Sequence, residues 1–115
     1  MQHALPLAKR FAASAKVGFT AVEYSAPYDY QVSQLIELLA ENKLQQALIN
    51  MPAGDWAGGE RGIACLPNRK EEFQEGVGQA ISYALALGCP LVNCLAGLKP
   101  ESLSREKAWQ TLVEN

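Results

Sequence analysis

Apolar positions along the chain alternate between helical spacing and short apolar runs. Helical spacing recurs over 5–15, 33–43, 69–87 and 102–112, and the runs "FTAVEYS", "LQQALIN" and "PLVNCLAG" between them predict strands. Strands that alternate with helices indicate a parallel sheet with right-handed crossovers. The pattern therefore predicts an α/β protein in the order helix, strand, helix, strand, helix, strand, helix.

Single residues mark the expected ends and contacts of these helices. Gly88 follows the third helix, where a residue in the left-handed conformation commonly ends a helix. Ser33 is expected to cap the second helix, and Ser102 or Ser104 the fourth. Gly78, inside the third helix, is expected to mark a close packing contact.

Two architectures fit this order, a doubly wound open sheet and a (β/α)₈ barrel. No Gly-x-Gly-x-x-Gly follows a predicted strand, so a dinucleotide-binding open sheet has little support. A barrel takes about 250 residues, and this chain has 115. We therefore expect residues 1–115 to form a single domain that is part of a TIM barrel, with about three parallel strands and four helices.

A long loop without helical or strand period, "NMPAGDWAGGERGIACLP" (50–67), follows the second predicted strand. Loops longer than about 12–15 residues are uncommon in compact domains and often bind ligands. This loop leaves the carboxyl end of its strand, where parallel α/β proteins build their sites. It is therefore the candidate functional segment.

Five residues of this segment are predicted to bind substrate. Trp56 can cover a small substrate, and Arg61 can grip a carboxylate with two hydrogen bonds. Asp55 and Glu60 can accept hydroxyl protons or hold Arg61 in place, and the amide of Asn50 can hold a substrate oxygen. The alternative is a packed loop whose tryptophan is an anchor and whose charges form surface pairs.

Other polar residues are weaker candidates. Glu23 either points into the barrel or faces solvent at the end of its strand. Asn93 stands near a strand end, where it can bind a substrate oxygen or satisfy loop backbone. Cys94 is expected to be a buried small hydrophobe because no base is near it in sequence. The cluster at 28–30, "YDY", is expected to be a turn with aromatic packing.

Charge and composition exclude several classes of function. The net charge is −2 without a basic stripe, so we expect no nucleic-acid partner. No apolar run approaches the roughly 20 residues of a membrane span. Three cysteines without a Cys-x-x-Cys pair favour reduced thiols in the cytoplasm. His3 is the single histidine, and the spacing of a zinc site is absent.

Several segments closely resemble the hydroxypyruvate isomerase family, whose relatives include the 2-oxo-tetronate isomerases. In chain order they are "GFTAVEY", "PYDY", "NMPAGDWAGGERGIACLPNRKEEF" and "YALALGCPLVNCLAG". The resemblance covers about residues 11–115, and the 54–62 block is its most specific part. Because these proteins are sugar-isomerase-like (β/α)₈ barrels, it implies a partial barrel that lacks the first strand and the C-terminal half.

The resemblance also implies a chemistry. Hydroxypyruvate would become tartronate semialdehyde through an enediolate, in cytoplasmic glyoxylate and carbohydrate metabolism. This requires a base and a group that stabilises the oxyanion, while the carboxylate of the hydroxy-oxo acid requires a cation, which suits Arg61. Family members carry two catalytic glutamates and divalent-metal ligands on later strands. We therefore expect no catalytic and no metal-binding residue here, and the cofactor is left open, with a divalent metal in a full-length protein as the candidate.

Three functions stay open at this point. The first is the N-terminal part of a hydroxypyruvate isomerase, inactive by itself. The second is the same part of a 2-oxo-tetronate isomerase, and the third is a non-catalytic half-barrel that serves as a binding or assembly module. In each case the unpaired edges of the sheet are expected to favour self-association.

Overall fold

The computed structural model describes residues 6–115, and its helices and strands alternate in the predicted order. His3 and Leu5 lie outside the described residues. Single turns of 3₁₀ helix cover Pro27–Asp29 and Pro67–Arg69. The helices and strands are α1 (Leu7–Lys16), β1 (Ala21–Glu23), α2 (Val32–Glu41), β2 (Gln45–Asn50), α3 (Lys70–Leu87), β3 (Val92–Asn93) and α4 (Arg105–Glu114). The predicted α/β class, with three strands and four helices, is confirmed.

The strands form one sheet in the order β1-β2-β3. β1 pairs with β2 in parallel, with Ala21 opposite Gln45. Further along β2, the backbone N–H of Ile49 donates to the carbonyl of Leu91, just before β3, at 3.1 Å. β1 and β3 are therefore the edge strands of this sheet, and both are shorter than the sequence predicts.

The chain divides into two compact units, each with its own apolar core. Unit 1 contains the residues up to Ile49 together with Tyr83–Leu91, and unit 2 contains Asn50–Ser82 and Val92–Asn115. The buried core residues of unit 1 are Leu7, Phe11, Leu35, Leu39, Leu44, Ile49, Ala84 and Cys89, and those of the main cluster in unit 2 are Ile63, Ala64 and Phe73. The single domain over 1–115 stays a prediction.

The helix starts confirm one predicted cap and correct another. Ser104 is the N-cap of α4, and its Oγ accepts a hydrogen bond from the backbone N–H of Lys107 at 3.1 Å. The prediction that Ser33 caps α2 is wrong, because the chain already enters the helix at Val32 and the capping position falls on Gln31, whose side chain makes no capping hydrogen bond.

The predicted packing contact at Gly78 is also wrong. A Cβ built on Gly78 would meet nothing within 4 Å, whereas one on Gly76 would lie 3.6 Å from the ring of Pro52. Two residues correspond to a rotation of about 200° around a helix. Gly76 therefore faces the loop after β2, and Gly78 points away from it.

The cluster at 28–30 forms the predicted turn with aromatic packing. The rings of Tyr28 and Tyr83 meet edge to face, with centroids 5.0 Å apart. The hydroxyl of Tyr83 donates to the carbonyl of Tyr30 at 2.7 Å. Both contacts tie the connection after β1 to the last part of α3, within unit 1.

Candidate functional site

The loop between β2 and α3 is held by backbone hydrogen bonds to the segment that contains β3. The N–H of Met51 donates to the carbonyl of Asn93 at 2.8 Å, and that of Cys65 donates to the carbonyl of Ala96 at 2.9 Å. The first bond sits where β2 and β3 both end. The loop therefore starts and returns at the carboxyl edge of these strands.

Two glycines allow the loop and the 93–97 segment to approach closely. Gly62 and Gly97 have φ of 103° and 107°, which side-chain-bearing residues rarely adopt. A Cβ on Gly62 would overlap the carbonyl of Leu95, and one on Gly97 would come within 2.7 Å of the carbonyl oxygen of Gly62. Both glycines are therefore required by backbone conformation and by space.

Within the loop, residues 55–60 form a closed turn, which we call the 55–60 turn. The N–H of Glu60 donates to the carbonyl of Asp55 at 2.9 Å, and the N–H of Gly59 donates to that of Trp56 at 3.1 Å. Both acidic side chains accept backbone hydrogen bonds: Asp55 Oδ1 from Gly58 at 3.0 Å, and Glu60 Oε1 from Asp55 at 2.7 Å. Side chains and backbone together close the turn.

Arg61 lies over the indole of Trp56. Its Cζ is 3.8 Å from the ring centroid, a cation–π geometry. Its Nη1 donates to the carbonyls of Trp56 and Glu60, at 2.9 and 2.7 Å. Among residues 6–115, its Nε and Nη2 have no hydrogen-bond partner. The guanidinium therefore has one two-nitrogen edge without a partner in the described part of the chain.

Trp56 is not a core anchor. It is 52% exposed, so the alternative of a tryptophan packed into the protein is wrong for this loop. Its ring covers one face of Arg61 while much of its surface stays accessible. This exposure is compatible with the predicted contact between Trp56 and a substrate.

The carboxylate of Glu60 binds Arg69, and it forms no ion pair with Arg61. Nη1 of Arg69 lies 2.6 Å from Oε2 of Glu60, and Nη2 lies 3.1 Å from Oε1. The hydrogen bonds from Arg69 and from the backbone of Asp55 lower the pKa of Glu60 to about 2. A carboxylate with this pKa is a weak base, which argues against Glu60 as a proton acceptor.

The predicted direct ion pair between Arg61 and the carboxylate of Asp55 or Glu60 is therefore not formed among residues 6–115. Within the described chain neither carboxylate contacts that guanidinium, because each already accepts hydrogen bonds from backbone or from Arg69. Sequence reasoning missed Arg69. The available signal was the position of Arg69 in the run "LPNRKEE", three residues before the acidic Glu72. Arg69 forms a second ion pair with Glu72 at 2.7 Å.

The structure brings Asn50 and Asn93 together at the ends of β2 and β3. The Nδ2 of Asn93 donates to the Oδ1 of Asn50 at 3.0 Å. The sequence placed both amides at strand ends but did not predict the pair. Glu23, the last residue of β1, is exposed.

Cys94 is exposed, so the prediction that it is a buried hydrophobe is wrong. It follows the last residue of the short strand β3, where the chain leaves the ladder. Desolvation by nearby protein atoms raises the pKa of its thiol. A raised pKa keeps the thiol protonated and unreactive at neutral pH.

Other features of residues 6–115 are weaker candidates for a site. Residues 6–115 contain no group of three or more His, Cys, Asp or Glu side chains that could bind a metal ion. A cavity of about 670 Å³ in unit 1 is lined by Ala21, Gln45 and Leu91, among others. These residues stand at the amino ends of the strands, the edge that TIM-barrel sites do not use.

Comparison with known proteins decides the family. Residues 11–115 match the model of the xylose isomerase-like TIM barrel family. The chain belongs to this family. It resembles the crystal structure titled AP endonuclease, family 2, from Brucella melitensis, with a TM-score of 0.90 and 40% identity over 96% of this chain and 42% of that one. The prediction of a partial TIM barrel is confirmed.

Two proteins that are similar to this chain are named isomerases. Hydroxypyruvate isomerase of Escherichia coli K12 is 55% identical over 106 residues, which are 92% of this chain and 41% of that protein. A 2-oxo-tetronate isomerase of Pectobacterium atrosepticum is 42% identical over 111 residues, 96% of this chain and 42% of that protein. The chain thus spans about two fifths of the length of these relatives.

The loop leaves the edge of the sheet at which TIM barrels build their sites. Sites of TIM barrels lie at the carboxyl ends of the strands, and the 51–66 loop starts at that end of β2.

Within the described chain no helix is long and apolar enough to cross a membrane. The cytoplasmic location, the five substrate-binding residues and self-association stay predictions.

Proposed function

We propose that this chain supplies the carboxylate-binding side of an isomerase that converts hydroxypyruvate to tartronate semialdehyde. The proposal depends on the Nε–Nη2 edge of Arg61, which lacks a protein partner among residues 6–115. The Nη1 of Arg61 is bound by two backbone carbonyls, and one face of its guanidinium lies on the Trp56 ring. A guanidinium edge of this kind matches a carboxylate with two parallel hydrogen bonds. The identity of 55% with the Escherichia coli hydroxypyruvate isomerase supports the assignment of substrate.

The proposed reaction moves a proton between adjacent carbons. A base removes a proton from the CH₂OH carbon, and the electron pair forms an enediolate with the neighbouring carbonyl carbon. A proton then returns to that second carbon, while the hydroxyl proton of the first carbon passes to the oxygen of the second, which leaves an aldehyde and a new hydroxyl. Substrate and product are isomers, so no oxidant or reductant is needed. Arg61 would hold the carboxylate and Trp56 would cover the substrate, and their fixed geometry limits the orientations that the substrate can adopt.

The base lies outside the groups described here. Glu60 is held ionised by Arg69, with a pKa of about 2, and the carboxylate of Asp55 already accepts the N–H of Gly58. These two groups therefore organise the loop. We assign the proton transfer to the part of the barrel that the relatives have beyond the matched two fifths of their length.

A second candidate reaction is the isomerisation of a 2-oxo-tetronate. It is favoured by the matches to 2-oxo-tetronate isomerases of Pectobacterium atrosepticum and Haemophilus influenzae, at 42% and 41% identity. Both substrates carry a carboxylate next to an oxo group. The same edge of Arg61 would bind either one.

The test is a chimera with the Escherichia coli relative. Residues 11–115 of this chain replace the matching segment of the Escherichia coli hydroxypyruvate isomerase, and the product is assayed with hydroxypyruvate and with 2-oxo-tetronate. Turnover of hydroxypyruvate is expected, and preference for 2-oxo-tetronate would support the second candidate. A folded chimera that is inactive on both would overturn the proposal and favour a binding or assembly module.

The 115-residue chain by itself serves as the reference in this assay. We expect it to show no turnover of hydroxypyruvate above a Trp56→Ala variant, because the proton-transfer groups are assigned elsewhere. Turnover by this chain alone would show that a described side chain acts as the base, and would contradict the assignment made above.

A further inference from the structure

We infer that Arg69 is a positioning residue for the carboxylate site: through Glu60 it closes the 55–60 turn and thereby fixes the guanidinium of Arg61. The link from Arg69 to the turn is supported by hydrogen bonds that the structure shows. Its consequence for substrate binding rests on the function proposed for Arg61.

The first step is the binding of Arg69 by two carboxylates. On one side it donates from Nη1 and Nη2 to both carboxylate oxygens of Glu60, at 2.6 and 3.1 Å. On the other side it donates from Nε and Nη2 to the two oxygens of Glu72 in α3, at 2.7 and 2.9 Å. A planar guanidinium held by two carboxylates has little freedom to rotate. Arg69 therefore fixes Glu60 against the start of α3.

The second step passes from Glu60 to the turn. Its Oε1, which binds Arg69, also accepts the backbone N–H of Asp55 at 2.7 Å. The backbone N–H of Glu60 in turn donates to the carbonyl of Asp55 at 2.9 Å. One carboxylate thus joins both ends of the 55–60 turn to Arg69.

The third step reaches Arg61. The carbonyls that accept its Nη1 belong to Trp56 and Glu60, and its planar group rests on the Trp56 ring. All three contacts are made by the turn that Glu60 closes. If the turn opens, the Nε–Nη2 edge of Arg61 loses its fixed direction, and small errors in the position of a binding group reduce activity strongly.

A second ion pair in the same unit provides the control. Lys70 binds Glu114 at 2.6 Å and links the start of α3 to the end of α4, without contact to the 55–60 turn. Both pairs are partly exposed, and exposed pairs contribute little to overall stability. A change at Arg69 that affects only stability should therefore resemble the same change at Lys70.

The first experiment uses the 115-residue chain with Trp109→Phe, so that Trp56 is the single tryptophan. Arg69→Met is compared with Lys70→Met by acrylamide quenching of Trp56 fluorescence and by titration of the Glu60 carboxyl in carbon-13 NMR. Because Trp56 is already 52% exposed, we expect Arg69→Met to increase quenching by at most about twofold. The same change should raise the pKa of Glu60 from about 2 toward its ordinary range. Lys70→Met should change neither, and equal effects of both variants would overturn the inference.

A second variant tests the inference in case Arg69→Met does not fold. Glu60→Gln keeps an oxygen that can accept the N–H of Asp55 but removes the charge that binds Arg69. Quenching of Trp56 should rise in this variant too, and Arg69→Lys should retain part of the protection. No change of quenching in Glu60→Gln would show that the turn does not depend on this ion pair.

The second experiment measures catalysis in the chimera with the Escherichia coli enzyme. Arg69→Met should raise KM for hydroxypyruvate about 10- to 100-fold, as for other orienting partners, with a smaller change in kcat. In the Arg61→Lys background it should add little, because both changes act through the same guanidinium. Additive effects would contradict a positioning role for Arg69.

The two experiments separate the inference from the function on which it rests. If Trp56 and Glu60 respond as expected while KM stays constant, Arg69 closes the turn but Arg61 does not bind the substrate carboxylate. If neither optical nor NMR signal responds, the inference on Arg69 is wrong whatever the substrate.

Discussion

The carboxylate of Glu60 binds Arg69, nine positions away, and does not contact the guanidinium of its neighbour Arg61. Oε2 of Glu60 lies 2.6 Å from Nη1 of Arg69. This choice of partner leaves Arg61 without a protein carboxylate among residues 6–115. Under the proposed function, Arg61 binds an acidic ligand, while Arg69 holds the shape of the loop.

Stability should depend on pH through Glu60. Its pKa is lowered in the folded chain from an ordinary value of 4.5 to about 2, so the ion pair stabilises the fold fully above pH 4.5. That contribution is lost as the pH falls from 4.5 toward 2. Urea unfolding at several pH values should show this fall, and Glu60→Gln should reduce it. An identical pH dependence in both proteins would contradict the assigned ion pair.

Arg61→Lys should weaken substrate binding in the active chimera. An ammonium cannot replace the two parallel hydrogen bonds of a guanidinium edge, and a charged hydrogen bond contributes about 1.5–3 kcal/mol. We expect KM to rise about 10- to 150-fold. Arg105→Lys, the same change at the exposed first residue of α4, should have no effect. An unchanged KM in Arg61→Lys would mean that this arginine only supports the turn.

Gly62→Ala should destabilise the protein more than Gly59→Ala. Both glycines have φ near 102°, so both substitutions carry the strain of a left-handed residue, about 1–3 kcal/mol. Only at Gly62 would the new Cβ also meet the carbonyl of Leu95, while Gly59 has nothing within 4 Å. The additional loss should be about 1–3 kcal/mol, the usual cost of overpacking. Chemical denaturation of the two variants gives the comparison, and equal losses would argue against close contact between the loop and residue 95.

Ser104→Ala should destabilise α4 by about 1 kcal/mol, since it removes the acceptor for the N–H of Lys107. Ser102→Ala is the matched control, because Ser102 lies in the preceding turn and does not cap the helix. Thermal unfolding of both variants measures the difference. The cap assignment would be wrong if the two substitutions had the same effect.

The isolated chain should self-associate. β1 and β3 are the edge strands of the sheet, and unpaired edges attract other strands. Phe19 before β1 and Leu91 before β3 are 64% and 59% exposed. Sedimentation at increasing concentration should show species larger than a monomer, and a Phe19→Lys, Leu91→Lys variant should reduce them. A monomer at all concentrations would contradict this expectation.

Local rules were sufficient for the order of the elements. The apolar period over 69–87 predicts α3, which the structure has at Lys70–Leu87, and "LQQALIN" predicts β2 at Gln45–Asn50. The cap at Ser104 also follows from neighbouring residues. These features depend on interactions between residues a few positions apart, which can be inferred from the sequence alone.

The candidate site was predictable in position but not in its internal contacts. The length of the loop and its departure from a strand end indicated the candidate segment, and Trp56 and Arg61 were chosen by residue type. That Glu60 would prefer Arg69 to Arg61 depends on how the loop folds back on α3. The pairing of Asn50 with Asn93, 43 positions apart, depends on the sheet, and so does the exposure of Cys94. The sequence by itself determined the order of the helices and strands and the candidate segment, because their signals are local. Only the tertiary structure decided which charges and amides meet, because those distances are set by parts of the chain that are far apart in sequence.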